Sequence, residues 1–260
     1  MILEPSMILL RQKKECERTM IAFLTSTLGD FYMMDQMKVG LVEKNNFVEN
    51  LRSVWQGEGR GLFITADPED FCGNDRMRDE FLRAFADAGL RLSSLDVCDG
   101  RRGDIDDVKS FDVIILGGGH VPTQNRFFKE IDLFNKIREF DGILLALSAG
   151  SMNSAKDVYA IPELEGEATD PGYNKWLPGL GVTKCRMLPH YQYFCDQYLD
   201  GLHIVRDIVM ADIGDGEVYA LPDGSYICVK DGREVLYGEA YLISNGEVKE
   251  ICRDGCAVEL

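Results

Sequence analysis

The sequence predicts an α/β protein, a three-layer sandwich around a mostly parallel sheet. Between residues 20 and 147, short apolar runs alternate with segments whose apolar residues recur at helical spacing. Short apolar runs bounded by turn residues are typical of buried strands, and a 3.6-residue period is typical of amphipathic helices. Strands that alternate with helices pair in parallel, because each crossover helix returns the chain to the same end of the sheet.

The elements follow from the pattern in chain order. The first strand covers residues 20–24, and Phe47, Leu51 and Trp55 then share one face of a helix. Further strands are predicted at residues 61–66, 90–97, 112–116, 143–147 and 184–188. Further helices are predicted around residues 77–88, 122–137 and 199–210.

The C-terminal part has a different pattern. Five short strand-like runs, at residues 218–221, 226–229, 235–237, 240–243 and 248–251, are separated by turn sequences such as Pro222-Asp223-Gly224. They predict a β-meander at the edge of the sheet. No composition break divides the chain, so we expect an N-terminal extension over residues 1–18 and a single domain over residues 19–260.

Charge narrows the class of partner. The chain has 44 acidic and 28 basic residues and a formal net charge of −16. This charge opposes binding to nucleic acid and to anionic membranes, so we expect a small molecule or peptide as partner. The eight cysteines form no Cys-x-x-Cys motif, which favours reduced thiols in the cytoplasm. We predict neither a signal peptide nor a membrane span.

Ser148 is the candidate nucleophile. It follows the apolar strand 143–147 and precedes the small residues Ala149 and Gly150. A serine between a buried strand and a helix must turn sharply, which exposes its hydroxyl and requires small neighbours. The helix N-terminus also favours a developing oxyanion. The alternative is an ordinary turn with a surface serine.

A serine nucleophile needs a general base, and the chain has three histidines, His120, His190 and His203. His203 falls within a predicted helix, where a solvated surface role is favoured. His120 follows Gly117-Gly118-Gly119, and His190 ends a strand, so both remain candidates. The glycine triplet is compatible with a phosphate-binding loop, with half of an oxyanion hole, or with a simple tight turn.

Four motifs together resemble the dipeptidase E (α-aspartyl dipeptidase) family of serine peptidases, which also contains cyanophycinase. They are Leu116-Gly117-Gly118-Gly119, Leu147-Ser148-Ala149-Gly150-Ser151, Pro189-His190-Tyr191 and Ala220-Leu221-Pro222-Asp223-Gly224-Ser225-Tyr226. The similarity runs from about residue 20 to residue 251. It implies a class I glutamine amidotransferase-like fold in which a serine replaces the cysteine.

The resemblance also implies roles for individual residues. Ser148 becomes the nucleophile, His190 the base and Asp223 the third member of the triad, while Gly119 and Ala149 supply the oxyanion donors. From the residues alone, Pro222-Asp223-Gly224 is only a good turn, and Asp157 and Asp170 are rival orienting acids. This chemistry requires no metal and no cofactor.

Two departures from the family concern specificity. His120 stands where the family usually has asparagine, so we expect it to line the substrate pocket. Residues 192–200 contain no cation, which leaves Arg206 as the nearest positive charge for an acidic substrate group. An acidic group buried without a cation costs several kcal/mol. We therefore assume no preference for an N-terminal aspartate.

The sequence thus predicts a serine hydrolase that cleaves the amide bond of a dipeptide or small amide. Two alternatives remain. One is a catalytically silent ligand-binding or regulatory module on the same fold. The other is a cyanophycinase-like β-aspartyl peptidase, which is disfavoured because the neighbourhood of His190 lacks arginines.

Overall fold

The structure is a computed structural model that describes residues 19–29, 40–102, 104–105 and 107–260, so the predicted extension over residues 1–18 lies outside it. The strands are β1 Ile21–Thr25, β2 Gly59–Ile64, β3 Leu92–Cys98, β4 Val113–Leu116, β5 Ile143–Leu147, β6 Asp157–Tyr159, β7 Trp176–Pro178, β8 Met187–Pro189, β9 Tyr198–Leu199, β10 Leu202–His203, β11 Glu217–Leu221, β12 Tyr226–Lys230, β13 Arg233–Tyr237, β14 Ala240–Ser244, β15 Glu247–Cys252 and β16 Ala257–Glu259. The α-helices are α1 Phe47–Val54, α2 Phe71–Asp87, α3 Val121–Glu130, α4 Leu133–Lys136, α5 Ala149–Asn153, α6 Tyr191–Phe194 and α7 Met210–Ile213. Three short 3₁₀ segments, Lys44–Asn46, Val108–Ser110 and Ile137–Glu139, and a π-helical segment, Ile204–Val209, complete the described elements.

A large sheet of eight strands, in the order β16-β13-β12-β1-β5-β4-β2-β3, forms the centre of the described structure. The five strands from β1 to β3 in this order pair in parallel. The strands β12, β13 and β16 extend the sheet beyond β1 in antiparallel pairing. The predicted α/β class with a mostly parallel sheet is therefore confirmed.

Helices pack on both faces of this sheet. Successive residues of β5 point to opposite faces, because side chains alternate along a strand. Leu145 belongs to one apolar cluster with Phe47 of α1 and Phe81 of α2. Leu144 belongs to a second cluster with Phe127 of α3. The sheet is thus the middle layer of the predicted three-layer sandwich.

The C-terminal strands are divided between two sheets, which corrects the prediction of a single meander at the edge. A second sheet has the order β15-β14-β11-β8, so β11, β14 and β15 leave the main sheet. The chain crosses between the sheets at Pro222-Asp223-Gly224, at Gly238 and again between β15 and β16. Gly238 has φ 92°, and a Cβ there would lie 2.3 Å from Asn45 Nδ2, so the second crossing requires glycine.

The predicted helix over residues 199–210 is also wrong in its first half. Asp200 and Gly201 adopt positive φ values of 52° and 82°, which forms a turn between the antiparallel strands β9 and β10. His203, predicted on a helix surface, ends β10 instead. Its Nδ1 accepts a hydrogen bond from the Arg206 N–H at 3.2 Å, at the start of the π-helical segment.

Candidate active site

Ser148 lies between the carboxyl end of β5 and the first residue of α5. Its backbone has φ 49° and ψ −114°, a conformation that is disfavoured for a residue with a Cβ and typical of a nucleophile on a sharp strand-to-helix turn. Gly150 permits this turn, because a Cβ there would lie 2.6 Å from the Leu116 carbonyl oxygen. The side chain of Ser148 is partly exposed at the carboxyl edge of the parallel strands.

His190 lies at the carboxyl end of β8, in the second sheet, directly before α6. Its backbone is left-handed, with φ 56° and ψ 32°. Its Nδ1 lies 2.7 Å from Oδ1 of Asp223. Because a carboxylate only accepts hydrogen bonds, Nδ1 carries the proton and Nε2 is the basic nitrogen. Within the described residues, Nε2 makes no hydrogen bond and is free to accept a proton.

Asp223 lies in the turn where the chain crosses from β11 to β12. Its Oδ1 accepts hydrogen bonds from His190 Nδ1–H and from the Ser26 hydroxyl, at 2.7 and 2.6 Å. Its own N–H donates to Gln192 Oε1 at 3.0 Å. Burial raises the pKa of Asp223, but the hydrogen bonds from His190 and Ser26 outweigh it and hold the pKa below its usual range. The carboxylate is therefore ionised at neutral pH.

The rival acids lie elsewhere. Asp157 is exposed on β6, and Asp170 accepts a hydrogen bond from the Gly172 N–H in an exposed turn. Neither forms a hydrogen bond or ion pair with His190 in the described part of the chain. The structure thus brings Asp223, and not these two acids, to the imidazole.

The end of β1 links Ser148 to the His190–Asp223 pair. The Thr25 carbonyl oxygen accepts a hydrogen bond from the Ser148 N–H at 3.1 Å. The next residue, Ser26, accepts one from the His190 N–H at 2.8 Å. The Ser148 hydroxyl itself forms no hydrogen bond with a described residue. In unliganded hydrolases the hydrogen bond between the nucleophilic hydroxyl and the general base is often long, and it tightens when substrate binds.

Two main-chain N–H groups lie at the carboxyl ends of the neighbouring strands β4 and β5. They belong to Gly119 and Ala149, and neither donates a hydrogen bond to any residue that the structure describes. Gly119 has φ 153°, and a Cβ there would lie 2.7 Å from the Ala66 Cβ, so this close approach requires glycine. The Gly150 N–H donates to the Gly117 carbonyl at 3.1 Å and holds the two loops together. Both N–H groups are therefore available as hydrogen-bond donors, which an oxyanion hole needs.

Both ring nitrogens of His120 lie within hydrogen-bond distance of a partner. Its Nδ1 lies 2.8 Å from the Thr123 hydroxyl, and its Nε2 lies 3.0 Å from Glu167 Oε1. Both ring nitrogens therefore have partners, whereas His190 retains a free one. Of the two histidines that the residues alone left open, His190 is the one placed to act as a base.

A loop that the sequence analysis did not single out brings two carboxylates to this region. Glu167 binds His120 with one oxygen, and its other oxygen accepts the N–H groups of Glu163 and Leu164, each at 2.9 Å. Burial and, to a smaller extent, the nearby charge of Glu167 raise the pKa of Glu163 to about 7, against an opposing effect of the charge of His190. The wall near His190 is therefore acidic.

The raised pKa of Glu163 predicts a pH-dependent cost in stability. Its folded pKa of about 7 exceeds the ordinary value of 4.5, so the folded state binds more protons and stability falls as pH rises through this window. We expect Glu163→Gln to remove this loss. The free energy of unfolding of the variant, minus that of wild type, should be about 1–2 kcal/mol larger at pH 8 than at pH 5. Urea denaturation at the two pH values measures this.

Glu165→Gln is the matched control, since Glu165 is an exposed carboxylate of the same loop. It should change the free energy of unfolding equally at both pH values. If Glu163→Gln also changed the free energy of unfolding equally at both pH values, the raised pKa of Glu163 would be wrong.

Arg206, the expected cation for an acidic substrate group, is exposed on the π-helical segment. Its Nε donates to Asp207 Oδ1 at 2.9 Å. Among the described residues it makes no hydrogen bond or ion pair with Ser148, His190 or Asp223. Nε and Nη2 of Arg206 both donate to Asp207, so a substrate carboxylate would have to share the guanidinium with this acid.

The site and fold together define a serine hydrolase. A strained serine ends a strand of a parallel sheet, and a histidine with a carboxylate on one nitrogen and a free second nitrogen lies at the same corner. Comparison with protein families shows which serine hydrolases the chain is related to. The model of peptidase family S51 matches residues 65–236, which is more than half of the chain. The chain belongs to this family and is a serine-type peptidase.

One solved structure supports the fold, and a second is reported with it. A peptidase from an acI-B1 actinobacterium superposes with a TM-score of 0.64 at 15% sequence identity, covering 93% of this chain and 97% of that one. A putative peptidase E protein from Listeria monocytogenes EGD-e gives a TM-score of 0.48 at 14% identity, covering 89% and 97%. No curated protein matches the sequence significantly. In the described part of the chain, no helix has the length and apolar character needed to cross a bilayer.

Proposed function

We propose that this peptidase hydrolyses the amide bond of a dipeptide or a similarly small amide through a triad of Ser148, His190 and Asp223. The observation that carries the proposal is the 2.7 Å contact between His190 Nδ1 and Asp223 Oδ1. It leaves Nε2 as the free basic nitrogen at the edge where Ser148 ends its strand. Membership of a serine peptidase family supports the same assignment.

In the first half of the reaction, His190 Nε2 takes the hydroxyl proton as Ser148 Oγ attacks the substrate carbonyl. Asp223 remains ionised, holds the imidazole in the correct tautomer and stabilises the imidazolium that forms. The imidazolium then gives its proton to the leaving amine, and an acyl-enzyme on Ser148 results. Water, deprotonated by His190, attacks this ester and releases the acid.

Gly119 and Ala149 N–H groups receive the negative charge that develops on the carbonyl oxygen. They need no reorganisation, because the backbone of both loops is fixed by neighbouring contacts. Each such donor contributes about 3 kcal/mol to transition-state stabilisation in comparable sites. The positive end of the α5 dipole acts in the same direction.

The charges near the site favour a substrate whose N-terminal residue is not acidic. Glu167 adds negative charge to this region, Glu163 joins it only above its pKa of about 7, and Arg206 is already paired with Asp207. A substrate carboxylate placed there would lose hydration and meet like charge. The free α-ammonium group of a dipeptide suits such a wall better. We therefore infer a preference for neutral N-terminal residues.

A panel of dipeptides tests this inference. We expect dipeptides that begin with Ala, Leu or Asn to be hydrolysed with kcat/KM at least about tenfold above those that begin with Asp or Glu, since one unfavourable charge contact costs about 1.4 kcal/mol or more. Release of free amino acid measures the rate, and Ser148→Ala is the blank. A preference for Asp-headed dipeptides would contradict the role given to the acidic wall but not the triad.

We also propose that the protein works in the cytoplasm. The seven cysteines in the described part of the chain are all free thiols, and disulfides form readily in oxidising compartments. Localisation of a tagged full-length chain tests this proposal.

A further inference from the structure

Ser26 is the residue through which the acid and the base of the proposed triad meet. It directly follows β1, and its side chain is fully buried. Its hydroxyl lies 2.6 Å from Asp223 Oδ1 and 2.8 Å from the main-chain nitrogen of His190. The same oxygen lies 3.5 Å from His190 Nδ1. One hydroxyl thus touches both residues.

The direction of these hydrogen bonds is fixed by their partners. The His190 N–H can only donate, so the Ser26 oxygen accepts from it. The Asp223 carboxylate can only accept, so the single Ser26 proton points at Oδ1. Asp223 Oδ1 therefore holds two donors, the Ser26 hydroxyl and His190 Nδ1–H, which together fix the rotation of the carboxylate.

The hydrogen bond from the His190 N–H to Ser26 also stabilises a strained backbone conformation. His190 has a left-handed backbone, which is disfavoured for a residue with a Cβ. Ser26 accepts the N–H of this residue and so helps to hold its backbone in place. Its own N–H donates to the Ser225 carbonyl at 3.3 Å, which ties β1 to the turn that carries Asp223.

We propose that Ser26 is a positioning residue of the catalytic machinery, which sets the geometry of the His190–Asp223 pair by bonding to both. It does not contact the reacting atoms. The inference rests on the proposed triad and adds a residue that acts through it. A neighbouring buried hydroxyl, that of Ser154, bonds instead to the Gly150 carbonyl at 2.8 Å and touches neither residue.

The test uses a fluorophosphonate, which reacts with an activated serine and requires no knowledge of the substrate. We expect Ser26→Ala to slow labelling of Ser148 by about 10- to 100-fold, the loss typical of a hydrogen bond to a charged group. Ser154→Ala, which removes an equally buried hydroxyl, should label within about twofold of wild type. Ser26→Thr keeps the hydroxyl and should recover most of the rate. For dipeptides, the loss should fall on kcat and leave KM nearly unchanged.

The same substitution in a protein that already lacks the Asp223 carboxylate separates a positioning role of Ser26 from a general loss of protein stability. If Ser26 acts through Asp223, Ser26→Ala should have less than about a twofold effect on labelling in an Asp223→Asn protein, because coupled residues are not additive. An equal effect in both backgrounds, or a Ser26→Ala rate like wild type, would overturn the inference. Should Ser26→Ala not fold, Ser26→Cys, with its weak donor, carries the same comparison. Absence of labelling in wild type would instead refute the proposed triad itself.

Discussion

Replacing Ser148 with alanine is expected to lower kcat for dipeptide hydrolysis by about 10⁵-fold or more, because the other triad members contribute little without the nucleophile. The strained backbone at this position exists to present the hydroxyl, and alanine retains the turn without the reacting oxygen. The KM of any residual activity should remain close to that of wild type. Steady-state assays with the best dipeptide of the panel measure the effect.

Ser151→Ala is the control for this variant. Ser151 lies in the same short helix, and its buried hydroxyl donates to the Thr25 carbonyl at 2.8 Å. Its loss should reduce stability by about 1 kcal/mol and leave kcat within a few-fold of wild type. If Ser148→Ala retained more than a hundredth of the wild-type kcat, Ser148 would not be the nucleophile.

Asp223→Asn is expected to lower kcat by about 10³- to 10⁴-fold. The asparagine amide can present an N–H to His190 Nδ1, which favours the tautomer with the proton on Nε2. His190 then cannot accept the Ser148 proton, and the developing imidazolium loses its counter-charge. Comparison of kcat/KM with wild type across pH 5 to 9 provides the measurement.

The matched control is Asp170→Asn, which neutralises the rival acid in its exposed turn. It should leave kcat/KM unchanged. If Asp170→Asn caused the larger loss, or if Asp223→Asn kept activity within about threefold, the assignment of the orienting acid would be wrong.

The position of Ser148 could be predicted because its signal is largely local. A strand that ends in Ser148-Ala149-Gly150 has few conformations, and the sharp turn at Ser148 arises within this stretch, whereas the clash that Gly150 avoids is with Leu116 of the neighbouring strand. The parallel sheet could also be predicted from the sequence, because strands that alternate with helices allow only a few topologies.

The C-terminal half was harder to predict, because the spacing of apolar residues in its short elements fits both helices and strands. Leu199, Leu202 and Val205 have helical spacing, yet Asp200 and Gly201 place a turn between the first two. The strands after residue 217 have the same local pattern in either sheet. Only the crossings after β11, β13 and β15, which are set by tertiary packing, divide them.

Ser26 and Glu163 were missed because their roles depend on distant residues. Ser26 and Asp223 are 197 positions apart, and Ser26 looked like the ordinary end of a strand. Glu163 lies in a loop whose position depends on the contact between His120 and Glu167. Asp223 itself was reached only through the family resemblance, since its own surroundings indicate no more than a turn.

Peptide mapping after fluorophosphonate treatment shows which residue is the nucleophile. We expect a single adduct, carried by Ser148 of the folded wild-type chain, and strongly reduced adduct formation in Asp223→Asn. An adduct on another residue, or a well-folded protein that acquires none, would contradict the assignment of Ser148 as the nucleophile.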